Sequence, residues 1–298
     1  MDLKKQLNPQ NHENSMNCLP SEHESRIILQ GIEIALGFPD EFQFEWIGQQ
    51  DVLDQLLAAW LVIDPNDIPL NPRLIGKPGV GKTTLAYAAA KKLNKPVYIY
   101  QCTMDTRPED LLISPVVDRH GGIRYVASAL VTAMIKGGVC ILDEANRMSE
   151  KSWASLAALL DTRRYVESIV AGLKVSAHPD FRICVTMNDD ASTFEIPEYI
   201  HSRLQPQIYL DFPEADEEKR ILKENLPFAD DYIVDYVIDF LQRSHSNNES
   251  YTVRDGINIA RYAAKRISSL KGGRSNIDNL LRESILMTLG DEALSYIL

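Results

Sequence analysis

Two hydrophobic periods alternate along the middle of the chain. Short runs rich in β-branched and aromatic residues, at Arg73–Ile75, Val97–Gln101, Val139–Leu142, Phe181–Met187 and Gln207–Phe212, read as strands. Between them Leu85, Ala89 and Leu93 recur at four-residue spacing and place Thr83–Leu93 on a helix, and Trp153, Leu156, Ala157 and Leu160 form a second core-facing stripe. Strands separated by helices predict an α/β fold, a parallel five-stranded sheet with crossover helices. After Pro213 the strand pattern stops. Three helical stripes follow: Ile233, Tyr236, Val237 and Phe240; then Val253, Ile257, Ala260, Ala264 and Ile267; then Ile277, Leu281, Ile285 and Leu289. Gly272-Gly273 punctuates the last two. The expected organisation is an N-terminal leader over 1–40, partly flexible, an α/β domain over 41–212, and a small all-helical domain over 213–298. Within the leader, Ser25–Phe38 carries Ile27, Ile28, Leu29, Ile32 and Leu36 and is expected to be ordered, of unspecified type.

Composition narrows the class. The chain has 298 residues, 45% hydrophobic and 24% charged, enough for one large core and a smaller second domain. Its formal net charge of −11 weighs against a surface whose main task is gripping nucleic acid, because that affinity comes from Lys and Arg neutralising phosphates. Apolar stretches such as Val139–Leu142 fall far short of the roughly 20 residues that span a bilayer. The first 24 residues lack a signal-peptide core. Cys18, Cys102, Cys140 and Cys184 are far apart without metal-ligand spacing. The last three lie in or beside strand-like runs, as buried thiols of a reducing compartment do. No membrane span is expected, and the cytoplasm is the expected location.

The chemistry concentrates at strand ends. Gly76-Lys77-Pro78-Gly79-Val80-Gly81-Lys82-Thr83 fits G-x-x-x-x-G-K-[ST], with a second Thr at 84. Glycines let the backbone curl so that several N–H groups converge on a phosphate, and the helix that follows adds the positive end of its dipole. Lys82 is expected to reach the β- and γ-phosphates of ATP, and Thr83 to ligate Mg²⁺. Gly76, Gly79, Val80, Gly81, Lys82, Thr83 and Thr84 are thus the candidate nucleotide-binding residues. Val139–Leu142 ends in Asp143-Glu144. Asp143 is expected to hold Mg²⁺ through water and Glu144 to polarise the attacking water. Asn188, at the end of the next strand, is placed to orient that water. Arg203 is a candidate arginine finger, with Arg163 and Arg164 competing for the role. Thr252-Val253-Arg254-Asp255 reads as a variant capping box that fixes Arg254 in the first turn of a helix.

With these residues the chain resembles an AAA+ ATPase of the MoxR type, from Trp46 to about Ser269. Ile47-Gly48-Gln49 resembles the segment beside the adenine, so Gly48 joins the nucleotide-binding set on that ground. Asp143-Glu144-Ala145-Asn146-Arg147 resembles the extended Walker B, and Ala177-His178-Pro179-Asp180-Phe181 leading to Thr186-Met187-Asn188 resembles the run into sensor 1. Ser202-Arg203 matches the arginine-finger position and Arg254 matches sensor 2. Hairpin-like stretches at Val117–Tyr125 and Tyr165–Val175 fit the same type, which implies a pore or partner side for them. Lys77 replaces the Pro common at that position, where only the backbone is needed. The resemblance implies a homo-oligomeric ring, usually hexameric, that remodels or activates a client protein, in some relatives with a von Willebrand A domain partner. A DNA-directed motor or helicase loader would share the same parts, as would a nucleotide-gated scaffold with little turnover. No Asp follows Asn94-Lys95 where guanine recognition would want one, which disfavours a GTPase.

Overall fold

A computed structural model of the chain describes residues 25–42, 45–117, 120–189, 195–247, 249–269 and 277–297. Cys18 and Gly272-Gly273 lie outside these residues. In chain order the strands are β1 (Arg26–Leu29), β2 (Ile32–Ala35), β3 (Arg73–Gly76), β4 (Val97–Gln101), β5 (Ile113–Val117), β6 (Ile123–Ala127), β7 (Val139–Asp143), β8 (Tyr165–Ser168), β9 (Leu173–Ser176), β10 (Arg182–Asn188) and β11 (Gln207–Tyr209). The helices are α1 (Gln50–Trp60), α2 (Lys82–Lys92), α3 (Ala129–Lys136), α4 (Glu150–Leu156), α5 (Glu198–His201), α6 (Ala215–Asn225), α7 (Asp231–Ser246), α8 (Val253–Ser269) and α9 (Ile277–Leu289).

The five expected strands form one parallel sheet in the order β11-β3-β10-β7-β4. All seven residues of β10 are buried, as a central strand covered on both faces requires. Alternate residues supply the two cores. Leu74, Val139, Ile141, Cys184 and Ile208 meet Leu53, Leu56 and Trp60 of α1 and Leu85 and Ala89 of α2. Cys140, Leu142, Ile183 and Val185 meet Leu130 and Met134 of α3, Trp153 and Phe181. Trp60 is held at both ends: its indole N–H donates to the Ile183 carbonyl at 3.0 Å, and the Trp60 carbonyl accepts from Arg182 Nε at 2.8 Å. Cys102, Cys140 and Cys184 are all buried, and burial pushes each thiol up. The stripe through Trp153 outlasts its helix. After Leu156 the chain tightens into turns in which Leu159 N–H bonds the Leu156 carbonyl, so Leu159 and Leu160 reach the core from outside α4.

The leader boundary at residue 40 needs correction. Ser25–Phe38 contains the antiparallel pair β1–β2, and β2 lies parallel to β6 in a second sheet ordered β1-β2-β6-β5. Ile34 and Leu36 are part of the α/β core. Asp40 is tied to β4: its N–H donates to the Val97 carbonyl and its carboxylate accepts from Ile99 N–H at 2.7 Å. Residues 25–40 therefore pack with the sheet layers through Ile34 and Leu36, while Ile28 and Phe38 stay exposed. Both anticipated hairpins are present, β5–β6 and β8–β9, and they present Val117, Ile123 and Ile169 to solvent.

Past Phe212, α6–α9 enclose their own core around Leu222, Val237, Leu241, Ile259 and Leu281. Polar and aromatic contacts hold it to the α/β part. Gln49 N–H donates to the Glu217 carboxylate at 3.0 Å. The Phe212 ring stacks on His245 at 3.9 Å, with the Lys77 ammonium 4.9 Å from the centroid of the same ring. Behind this stack Glu218 is fully buried: Oε2 accepts from Gln242 at 2.9 Å, while Oε1 meets no hydrogen-bond partner among the described residues and lies 4.0 Å from His245 Nδ1. Burial raises the Glu218 carboxyl to about 7, the Gln242 bond opposing and Glu214 adding to the rise. Burial also lowers His245, so the imidazole is a poor counter-charge. A carboxyl that holds its proton more tightly when folded stabilises fully below the unfolded value of about 4.5, and that contribution is lost as pH rises through about 7. Glu218→Gln is accordingly expected to be more stable than the parent at pH 8, with the difference shrinking toward pH 5, in urea unfolding at both pH values. An equal gap at the two would contradict the burial argument.

Candidate functional site

The strand that opens the site ends in a loop that cannot be built from ordinary residues. Gly79 and Gly81 have φ of +82° and +99°, left-handed values that glycine adopts without strain. Gly79 is also pressed from above: a Cβ there would lie 2.7 Å from the Thr252 side chain. Helix α2 starts directly after Gly81 with no side-chain cap, so the amides of its first turn are left for an anion. The Lys82 ammonium curls back over the loop and donates to the Gly76 and Lys77 carbonyls at 2.9 and 2.8 Å.

Register decides what this loop faces. Asn188 pairs with Gly76 and Val185 with Leu142, so the ends of β3, β10 and β7 emerge side by side. Asp143 Oδ1 accepts from the hydroxyls of Thr83 and Thr186, both at 2.6 Å. Glu144 sits in the left-handed region at φ +52°, a conformation that costs a non-glycine residue about 1–3 kcal/mol and that its surroundings must enforce. Its N–H donates to Thr186 Oγ1 at 2.9 Å. Its carboxylate is held on both oxygens, by Asn188 Nδ2 at 3.2 Å and by Arg147 Nε at 2.6 Å. Asn146 in turn donates to the Asn188 carbonyl at 2.8 Å.

These groups line one cavity of about 330 Å³ between the α/β part and α6–α9. Val80, Gly81, Lys82, Thr83 and Thr84 border it, with Gly79, Asp143, Glu144 and Asn188. Arg254 comes to it from the opposite wall. The start of α8 is fixed there by a reciprocal cap, in which Asp255 accepts from Thr252 N–H at 2.8 Å and Asp255 N–H donates to Thr252 Oγ1 at 3.3 Å. Trp46, Ile47 and Gln49 close the far end. Gly48 and Gly76 do not border the cavity. Each serves close packing: a Cβ on Gly48 would lie 2.4 Å from the Glu217 carboxylate, and one on Gly76 2.4 Å from the Leu210 carbonyl.

The three arginines considered as a finger lie away from this cavity. Arg203 Nε is 3.5 Å from Asp161 Oδ2, and its Nη1 donates to the Tyr199 carbonyl. Arg163 takes the same Asp161 carboxylate at 2.8 Å, and that bond, more than any other contact, holds the carboxyl down at about 2. Arg164 is turned inward and donates to the Phe181 carbonyl at 2.9 Å. Two residues that touch the centre had no assigned role in the sequence. Thr186 lies two before Asn188 on the same strand, so period-two alternation aims both to one side. Arg147 entered only as the end of the stretch that resembles the extended Walker B, without a role, because its contact depends on the 3₁₀ turn at Ala145–Arg147.

The donor set fits Mg²⁺-ATP: a ring of loop amides and an ammonium for phosphates, and a Thr hydroxyl facing an Asp carboxylate for the metal. The family described as the AAA domain (dynein-related subfamily) matches residues 73–204, which run from β3 to just past α5. An uncharacterized protein of Staphylococcus epidermidis is 27% identical over 175 residues, 57% of this chain and 66% of that one. An uncharacterized protein of Staphylococcus aureus is 27% identical over 179 residues, 58% of this chain and 68% of that one. The matches thus span about two thirds of the length of these relatives. Among solved structures, the RuvB Holliday junction branch migration motor of Thermotoga maritima superposes with a TM-score of 0.56 at 19% identity, over 83% of this chain and 72% of that one. A mutant of the same RuvB gives a TM-score of 0.58 at 19% identity, over 83% and 73%. The α/β core with its parallel five-stranded sheet and following helices is a P-loop AAA fold.

Arg147 restrains the Glu144 carboxylate through an ion pair at 2.6 Å. A half-exposed ion pair of this kind contributes about 1 kcal/mol or less, equivalent to at most about fivefold in rate. Arg147→Ala is expected to raise basal ATP turnover by up to about that factor while leaving ATP affinity unchanged, since Arg147 does not border the cavity. Turnover that falls instead would show that Arg147 holds Glu144 in its working position.

Proposed function

We propose, taking residues 73–204 as an AAA domain, that the chain is a Mg²⁺-dependent ATP hydrolase acting as one subunit of a ring, hexameric as in MoxR-type proteins, which remodels or activates a client protein. The observation that carries the reading is the convergence of Lys82, Thr83, Asp143, Glu144 and Asn188 at the ends of three adjacent strands, beside a cavity roofed by Arg254. The loop amides and Lys82 bind the β- and γ-phosphates of ATP, for which Lys82 exchanges its carbonyl partners for phosphate oxygens. Thr83 and Asp143 would hold Mg²⁺, which neutralises charge on the phosphates when bound. Glu144 orients and polarises the attacking water, and Asn188 fixes the Glu144 carboxylate and the water beside it. Arg254, rigid in the first turn of α8, reports the phosphate state to the helical part.

Arg203 supports the ring. It does not border the cavity of its own subunit, and among the described residues its side chain meets the Tyr199 carbonyl and ring and a carboxylate already shared with Arg163. A guanidinium so placed suits charge supplied to the site of an adjoining copy. The client is a protein rather than a nucleic acid on grounds of charge, since a chain at −11 lacks a surface excess of phosphate-neutralising groups. A partner with a von Willebrand A domain is in keeping with the MoxR-type resemblance. RuvB, a branch migration motor, shares the fold at 19% identity, which keeps a DNA-directed motor as the second reading.

One turnover assay addresses both. Arg203→Ala is expected to bind ATP as the parent does and to lose about 10³-fold or more in turnover. Unchanged turnover would remove Arg203 from the finger role. Duplex DNA is expected to leave the parent rate unaltered, and a DNA stimulation that collapses with added salt would favour the motor reading.

A further inference from the structure

Arg73 begins β3, three residues before the phosphate-binding loop, and is only 4% exposed. Its Nη1 meets His201 Nδ1 at 2.8 Å, with the imidazole as acceptor, and its Nε has no hydrogen-bond partner among the described residues. Among the described residues it has no ion pair. Burial without a counter-charge disfavours the charged form and lowers its pKa, yet a guanidinium stays protonated at neutral pH. Removing such a cation from water is costly unless an anion meets it.

The side chain borders a cavity of about 540 Å³ on the sheet face away from α1 and α2, together with Asn146, Asn188, His201 and Gln207. Asp189, Glu195 and Glu198 stand exposed around this cavity and the adjoining hollow beside Tyr199. Their charges repel a polyvalent anion, but a single carboxylate still matches the flat fork of a guanidinium. Arg203 packs on Tyr199, which lines that adjoining hollow, its guanidinium 5.9 Å from the ring centroid. If Arg203 serves an adjoining copy, that copy's surface, from a chain with 42 Asp and Glu residues, lies against the cavity.

We propose that this cavity is a docking site for a carboxylate side chain of a second copy of the chain, received by Arg73. The inference rests on the ring reading and adds a contact to it. Its inner wall gives the contact a consequence. Asn146 donates to the Asn188 carbonyl, and Asn188 Nδ2 bonds Glu144. A neighbour seated on Arg73 therefore buttresses the asparagine that positions the catalytic carboxylate.

The test uses the full chain carrying Glu144→Gln, to hold ATP, and follows assembly with concentration by sedimentation velocity. Adding Arg73→Met is expected to raise the concentration for half-assembly about tenfold or more, with ATP affinity unchanged because Arg73 lies outside the nucleotide cavity. Should the Met variant fail to bind ATP, Arg73→Gln, which keeps a donor but no charge, carries the same comparison. Equal assembly of parent and variant would overturn the docking site and leave the ring reading standing. A parent that stays monomeric in ATP would remove the ring reading, and this contact with it. A third outcome also overturns the proposal: assembly independent of Arg73, together with an Arg73-dependent rise in melting temperature of the Lys82→Ala chain in inorganic phosphate, would make the anion a free ion.

Discussion

The parallel pairing of β3, β10 and β7 sets where the loop, Asp143, Glu144 and Asn188 stand at the cavity. Because the three strands run the same way and their register places Asn188 opposite Gly76, one strand delivers the glycine-rich loop, the next Asn188, and the third Asp143 and Glu144. A slip of one residue would turn Thr186 and Asn188 to the opposite face and break the bonds to Asp143 and Glu144. The fully buried β10 guards against that slip, since both of its faces are committed to cores. Stability of the sheet and geometry of the site are thus one constraint.

The helical part depends on the same loop. Thr252 rests against Gly79, where no side chain fits, and its cap with Asp255 aims Arg254 into the cavity. Lys77 reaches from the loop to Phe212, which stacks on His245 in α7. The glycine-rich loop is thus joined to α7 and α8 through packed side chains rather than a flexible linker.

Much of this was legible in the chain itself. Val97–Gln101 is a strand with the bounds its apolar run gives, and the loop Gly76–Thr83 declares itself because its chemistry is local. The capping box at Thr252–Asp255 forms as written. What escaped is non-local. The pairing of β2 with β6 joins segments far apart in sequence, so Ser25–Phe38 showed apolar content without a recognisable partner. Arg147 and Glu144 meet only because Glu144 adopts a left-handed backbone. Glu218 sits in the acidic run Asp216-Glu217-Glu218, which locally reads as a solvated helix start, and its burial appears only when α7 packs over it. Arg73 looks like the polar edge of a strand and is instead enclosed.

The central claim is that loop amides and Lys82 converge on a triphosphate whose metal lies between Thr83 and Asp143. Isothermal titration of Mg²⁺-ATP into the full chain and into Lys82→Ala tests it most directly. The account predicts one saturable site per chain in the parent and at least a tenfold loss of affinity in the variant, since a charge-assisted bond to phosphate contributes about 1.5–3 kcal/mol. Equal affinity in the two, or no heat of binding in the parent, would contradict it.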